Sequence, residues 1–220
     1  MTLAMNETVE KLSHVEHVLK RPDSYVGSTS LVAEEYWLLN ADASGFEKRI
    51  VRYSPALLKI FDEVLVNAID RNSLFPKEVT SIKVDVDTST GAITIENNGP
   101  LGGVAVVENG KENAYNPELV FGHLLTSTNY DDSQKRIVGG RNGYGAKLAN
   151  IYSQDFAIKV KDPVNKLLYT QKWTKNMSVR GEPKVKAYAS ATASVSVTFT
   201  PDWKRFHMDG IDAAIVDVFR

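Results

Sequence analysis

Two groups of residues in this chain have the types and spacing to act on a polyanion. The first is residues 139–153, GGRNGYGAKLANIYS, where four of the first seven residues are glycine. Glycine loses the most backbone freedom on ordering, so this density belongs to a loop and not to a helix or strand interior. From Ala146 the texture changes, and Ala146, Leu148, Ala149 and Ile151 predict the start of a helix. A glycine-rich loop entering a helix N-terminus is an anion cradle. Unpaired N–H groups point outward, the helix dipole adds partial positive charge, and missing Cβ atoms let phosphates come close. Arg141 and Lys147 add full positive charge. The second group is Glu63, Asn67 and Asp70. On a helix these stack on one side, because positions i, i+4 and i+7 nearly coincide. A solvated stripe tends to carry long Lys, Glu and Gln. Asparagine and aspartate are poor helix formers, so their use in mid-helix predicts a face that meets something.

Neither common phosphate motif fits the loop. Gly140 and Gly145 have P-loop separation, but Ala146 follows where lysine is required. The dinucleotide fingerprint needs a small residue three places beyond Gly145, and Leu148 stands there. A plain surface loop capped by a helix is the bland alternative, since glycine is the default loop residue.

The composition frames these groups. A chain of 220 residues suits one domain, or one domain with an arm. Hydrophobic residues make up 43% and charged residues 24%, enough for a packed core. The net charge of −1 shows no basic excess, so a DNA partner would be held by a local patch or by another part of a larger protein. The absence of cysteine excludes disulfides and thiolate metal sites and fits a reducing compartment. No run approaches the roughly 20 apolar residues of a membrane-spanning helix. The first residues carry scattered charge and no apolar stretch, so no signal peptide is expected.

The elements that must position the two groups follow from the pattern. Residues 1–30 read as an N-terminal arm, with Val15, Val18 and Leu19 on one helical face. Residues 31–220 form the main domain. Loose alternation over 31–53 predicts a strand pair that buries Trp37, Leu38 and Leu39. The clearest helix covers 54–74, with Ser54 as N-cap and Pro55 at the first helical position. Leu57, Phe61, Val64, Leu65 and Ala68 form its apolar face. A hairpin follows, with Ile82, Val84 and Val86 on one strand and Ala92, Ile93 and Ile95 on the other. It exits through the polar sequence Glu96-Asn97-Asn98-Gly99-Pro100. Residues 104–142 hold little strand pattern and one short helix near 117–125, which is the signature of a functional lid. Alternating runs at 156–160, 167–173, 185–188 and 195–199 predict a meander, and 209–219 predicts a closing helix. The order gives an α+β two-layer sandwich, a mixed and mainly antiparallel sheet with helices on one face.

Taken together, the helix group, the Asn97-Asn98-Gly99 strand end and the glycine loop resemble the GHKL ATPases, whose Bergerat fold is such a sandwich closed by a flexible lid over ATP. Within that superfamily the chain is most similar to the ATPase domain of eukaryotic-type (type IIA) DNA topoisomerase II. The resemblance is carried by Glu16-His17, by residues 21–28 (RPDSYVGS), by 58–70 (LKIFDEVLVNAID), by 121–132 (FGHLLTSTNYDD), by 139–153 and by 198–202 (TFTPD). These blocks run through nearly the whole chain in the family's order.

The resemblance implies roles. Glu63 would be the general base for the attacking water and Asn67 the Mg²⁺ ligand, and the chemistry suits both, since a carboxylate accepts a proton and an amide oxygen is a hard ligand. Asp70 would complete the helix side of the nucleotide site. Asn97 would face the amino edge of adenine. Ser127, Thr128 and Asn129 would reach ribose and phosphate from the lid. Gly140, Arg141, Asn142, Gly143, Tyr144, Gly145, Ala146 and Lys147 would wrap the β- and γ-phosphates. Partners implied are ATP, a second copy joined through the N-terminal arm when nucleotide is bound, and DNA through the full-length enzyme, with no membrane. The location would be the nucleus in a eukaryote, or host cytoplasm or virion for a viral or phage source.

Some positions depart from the family. Pro100-Leu101 replaces the usual Lys-Gly after the Asn-Asn-Gly turn, Arg71 replaces a phosphate-side asparagine, Leu74 a common arginine, and Val195 a threonine that helps hold adenine. They leave the phosphate end intact and bear on the base and ribose contacts, so nucleotide selectivity or affinity is expected to differ. The transducer, with its γ-phosphate lysine, and the DNA-cleavage domains lie outside these residues, so the chain alone is expected to be a weak ATPase. The alternatives are a chaperone- or repair-type clamp of the same superfamily and a catalytically weak, nucleotide-responsive interaction module.

Overall fold

A computed structural model describes residues 10–40, 42–109, 112–124, 126 and 144–220. The central sheet is built from β3 (Ile82–Asp87), β4 (Ala92–Asn98), β7 (Ser153–Asp162), β8 (Leu167–Thr174), β10 (Lys184–Ala187) and β11 (Ser194–Pro201), in the order β10-β8-β7-β11-β4-β3. The short β9 (Val179–Arg180) pairs with β8. Each pairing among the described residues is antiparallel. The alternation read from the sequence is the reason. Ile93, Ile95 and Asn97 of β4, and Phe156, Ile158 and Val160 of β7, point to one buried side, as period-2 residues must. β11 sits between β4 and β7, and its buried residues include Val195, Val197 and Phe199.

The helices cover that buried side. α2 (Pro55–Leu74) buries Leu57, Ile60, Phe61, Val64 and Ala68 and packs on β4. α4 (Gly145–Ile151) is buried from Ala146 through Ile151 and lies between α2 and the sheet strands β7 and β11. Helices on one face of an antiparallel sheet give the expected α+β sandwich.

Two pieces flank it. α1 (His14–Lys20) has a capping box made by Ser13 and Glu16, and it packs on α4. The buried Tyr152 hydroxyl donates to the Val18 carbonyl at 2.7 Å. The described part of the predicted arm therefore lies on its own domain. The hairpin β1 (Val32–Leu39) and β2 (Phe46–Tyr53) carries α5 (Ala213–Phe219), joined by Arg49–Asp217 at 2.8 Å. Phe219 in turn stacks on Phe61, ring centroids 3.9 Å apart.

Several expectations need correction. Trp37 is 64% exposed and not buried, with the Lys48 ammonium over its ring, because Leu38 faces inward and strand neighbours alternate. Ser54 occupies the N-cap position but does not cap with its side chain, and its hydroxyl instead donates to the carbonyls of Ser28 and Thr29. The lid region contains a hairpin, β5 (Val106–Asn109) and β6 (Glu112–Tyr115), before α3 (Asn116–Gly122). The closing helix begins at Ala213, since the Asp212 carboxylate accepts from Ile215 N and fixes the cap there.

Candidate functional site

The apolar stripe of α2 fixes its rotation against the sheet and so turns Glu63 and Asn67 toward α4. Both are half-buried, so the polar side of α2 is no solvated stripe. Lys59 lies one turn before Glu63, and its ammonium meets Glu63 Oε1 at 2.6 Å. Through that hydrogen bond the carboxylate raises the Lys59 pKa. The other oxygen, Oε2, faces the first residue of α4. A Cβ built on Gly145 would stand 2.5 Å from Oε2 and 3.4 Å from Asn67 Nδ2. Only a residue without a side chain lets the end of the glycine loop sit this close to both groups. Asn67 Nδ2 donates to the Glu63 carbonyl at 2.5 Å. That bond orients the amide, so Oδ1 points away from it. Among the described residues no hydrogen bond to Oδ1 is formed, which leaves a hard oxygen for a cation. Asp70 lies one further turn along α2 and is half-buried.

Lys147 is 3% exposed, and burial pulls its pKa down to about 8. Its ammonium donates to the Thr126 carbonyl at 2.5 Å and to the Thr126 hydroxyl at 2.9 Å. Thr126 in turn donates to the carbonyls of Leu119 and His123. The cation of the loop-to-helix element is thus seated on the residue that leads into the lid's polar run. Tyr144, at the N-cap of α4, lies against Tyr25, with ring centroids 5.8 Å apart, and Tyr25 meets His17 at 2.9 Å. The loop end, the arm and the helix therefore meet at one place.

β4 ends under α2 with Asn97 and Asn98, and the pleat gives the two amides different work. Asn98 accepts from Thr80 N and Ser81 N and donates to Thr80 Oγ1, so it ties the strand to the preceding loop. Asn97 is 5% exposed on the inner face, level with Ile82 on one neighbour and Val195 on the other. Its Nδ2 donates to the Asn98 carbonyl at 2.8 Å. Gly99 has φ +92°, and a Cβ there would stand 2.5 Å from Val79 Cγ2 and 3.0 Å from the Glu78 carbonyl, so the turn requires glycine.

The structure therefore brings Glu63, Asn67 and Gly145 into contact and sets Asn97 on the strand beneath α2. Ala146 is buried in α4 directly after Gly145. Ser127, Thr128, Asn129, Gly140, Arg141, Asn142 and Gly143 lie outside the described residues. Lys59 and Thr126, partners of Glu63 and Lys147, were not singled out from sequence. The i,i+4 spacing of Lys59 and Glu63 carries that signal, whereas nothing in the sequence pairs residue 126 with residue 147.

No protein-family model matches the chain. Comparison with known proteins finds DNA topoisomerase 2 of Penicillium chrysogenum, 45% identical over 208 residues, which covers 94% of this chain and 13% of the relative. The enzyme of that name from Saccharomyces cerevisiae is 40% identical over 218 residues, 99% of this chain and 15% of the relative. Human DNA topoisomerase 2-alpha is 42% identical over 214 residues, 97% and 14% respectively. The solved ATPase region of Saccharomyces cerevisiae topoisomerase II superposes with TM-score 0.90 at 42% identity, covering 96% of this chain and 55% of that one. The ATPase and transducer domains of the Balamuthia mandrillaris enzyme give 0.88 at 41%, covering 96% and 54%. The fold and the sequence together define a GHKL-type ATPase domain. Within that class the chain belongs to the family of topoisomerase II ATPase regions. It spans 13–15% of the length of the curated relatives named here.

Proposed function

We propose that this chain binds ATP between α2 and the glycine loop and, within a longer protein, is the ATP-hydrolysing N-gate domain of a type II DNA topoisomerase. One observation carries the reading. The loop's last glycine is pressed against the Glu63 carboxylate and the Asn67 amide of α2. A triphosphate held by the loop would then meet Glu63 and Asn67 at its far end.

The residues divide the work. Glu63 Oε2 accepts the proton of the water that attacks the γ-phosphate, and the ion pair with Lys59 steadies the carboxylate through Oε1. Asn67 Oδ1 fits Mg²⁺, since its amide is already oriented by the Glu63 carbonyl and this ion takes few protein oxygens, filling its remaining positions with waters and substrate phosphate oxygens. When bound, Mg²⁺ supplies neutralising charge among the phosphate oxygens. Gly140, Arg141, Asn142, Gly143, Tyr144, Gly145, Ala146 and Lys147 embrace the phosphates, and Lys147 exchanges Thr126 for a phosphate oxygen. Ser127, Thr128 and Asn129 reach the nucleotide from the lid, and Asn97 reads the adenine amino edge. Asp70 supports the base side of the helix face. Phosphoryl transfer needs little beyond such positioning and charge stabilisation.

The N-terminal arm, residues 1–30, and a lid at about 104–142 couple this site to a second copy. Nucleotide binding draws two domains together around a DNA duplex, and hydrolysis releases them. The cell compartment is intracellular by the same similarity. Among the described residues no helix is long and apolar enough to cross a membrane.

Calorimetric titration of the chain with a non-hydrolysable ATP analogue tests the reading. Binding should require Mg²⁺, and Asn97→Ala should weaken it by about tenfold, the loss of one buried hydrogen bond to the base. No heat at millimolar analogue would overturn the assignment. Mg²⁺-independent binding insensitive to Asn97 would favour a nucleotide-responsive interaction module.

A further inference from the structure

Two positions that depart from the family pattern touch each other. Arg71 stands on α2 one turn beyond Asn67, and its Nη2 donates to the Pro100 carbonyl at 2.5 Å. The guanidinium also lies over the Phe75 ring, 4.5 Å from its centroid. Its Nε is buried with no partner among the described residues. Burial lowers the Arg71 pKa, yet an arginine stays charged in proteins. A partly buried cation has thus been placed on one backbone oxygen of the turn that follows Asn97.

Other bonds hold the surroundings of that turn. Asn98 binds Thr80 and Ser81, Gly99 N donates to the Ala193 carbonyl, and from α2 Asn72 Nδ2 donates to the carbonyl of Val79, the residue packed behind Gly99. Among the described residues, Arg71 is the α2 side chain that bonds the backbone of residue 100 itself. Proline at residue 100 makes such a link useful. It fixes its own φ and has no N–H, so the turn lacks one internal donor.

Building on the nucleotide site proposed above, we infer that Arg71 is a positioning and specificity residue, which clamps the 99–101 turn to α2 and so sets where Asn97 meets the purine. Its hydrogen bond goes to the turn at the base end of the proposed site. A charge-assisted bond is roughly twice as strong as a neutral one, so one residue suffices to hold the turn.

The test compares the chain with Arg71→Met, which keeps the apolar stem over Phe75 and removes the donors, and with Arg71→Lys, which keeps one charged donor. Calorimetry with Mg²⁺ and non-hydrolysable analogues of ATP and of GTP reads both affinity and base choice. Arg71→Met should weaken the ATP analogue by about tenfold and shrink the ATP-over-GTP preference by a similar factor. Arg71→Lys should recover most of both, and the thermal unfolding midpoints of all three should agree within about 3 °C. Arg71→Met binding within twofold of the unsubstituted chain, or a loss equal for both bases, would overturn the inference. Failure of the unsubstituted chain to bind either analogue would instead overturn the nucleotide site itself.

Discussion

Glu63 and Gly145 are in direct apposition, with the carboxylate Oε2 only 2.5 Å from where a side-chain carbon at residue 145 would begin. The Glu63 side of α2 and the end of the glycine loop are therefore parts of a single surface. Gly145→Ala should push the Glu63 carboxylate out of place, because the contacting atom is the end of a flexible side chain and can yield. Stability should fall by about 1 kcal/mol or less, while ATP hydrolysis by the chain falls by on the order of a hundredfold, as misplacement by an ångström does. Steady-state turnover beside a urea unfolding curve checks this. Unchanged turnover would remove Gly145 from the site.

Lys147 predicts how stability depends on pH. Its folded pKa of about 8 lies below the ordinary lysine value of 10.5, and burial is the cause. Below about pH 8 the ammonium is charged in both folded and unfolded chains, and the cost of burying it is present in full. As pH rises from 8 toward 10.5 the folded chain releases the proton first, so this group adds stability with rising pH. The gain between pH 8 and pH 10 is on the order of 2 kcal/mol. The phenols of Tyr53 and Tyr169, which burial pushes up, act in the opposite direction only above their unfolded value of 10.0. Lys147→Met should remove the rise and leave any change due to other groups. Urea unfolding of both proteins at pH 7.5 and 9.5 measures the difference, and parallel pH dependence would contradict it.

Asp162 should act as a fastener at the entry to the lid region. It is buried, and it accepts from Val104 N at 2.7 Å as well as from the backbone N–H groups of Val164 and Asn165. Desolvation raises its pKa, but these bonds and the Asn165 side chain outweigh it and leave the carboxyl below its usual range. The stabilisation is present above the unfolded value of 3.8 and is lost as pH falls through the lower folded value. Asp162→Ala leaves several donors unpaired and should cost about 2–3 kcal/mol at pH 7. Denaturant unfolding of both proteins at pH 7 checks the size, and the difference between them should shrink as pH is taken progressively below 3.8.

The sequence was most informative where local chemistry decides structure. α2 is legible because Ser54-Pro55 marks its start and Leu57, Phe61, Val64 and Ala68 repeat at helical spacing. The loop-to-helix junction at Gly145 is legible because glycine density ends abruptly there. The face of Glu63 and Asn67 followed from the same geometry. What stayed hidden depends on distant partners or on weak pattern. Trp37 looks like core by type, and only the register with Lys48 shows that it faces outward. The β5–β6 hairpin has four-residue strands, and Val106 and Val107 are both exposed, so no alternation announces it. The start of α5 is fixed by the Asp212 carboxylate accepting from Ile215 N, a bond that the apolar pattern of residues 209–219 does not announce. Arg71 and Pro100 were each visible as departures, but their contact spans 29 positions and belongs to the folded chain alone.

In the proposed function Glu63 serves chemistry at a nucleotide held by the glycine loop. The decisive comparison is Glu63→Ala, with hydrolysis of ATP and calorimetric affinity for a non-hydrolysable analogue measured on the same preparation. Turnover should fall by at least about a hundredfold while analogue affinity stays within about threefold of the unsubstituted chain, the pattern of a group needed only in the transition state. Equal loss of turnover and binding would make Glu63 a structural residue and overturn its role as the base.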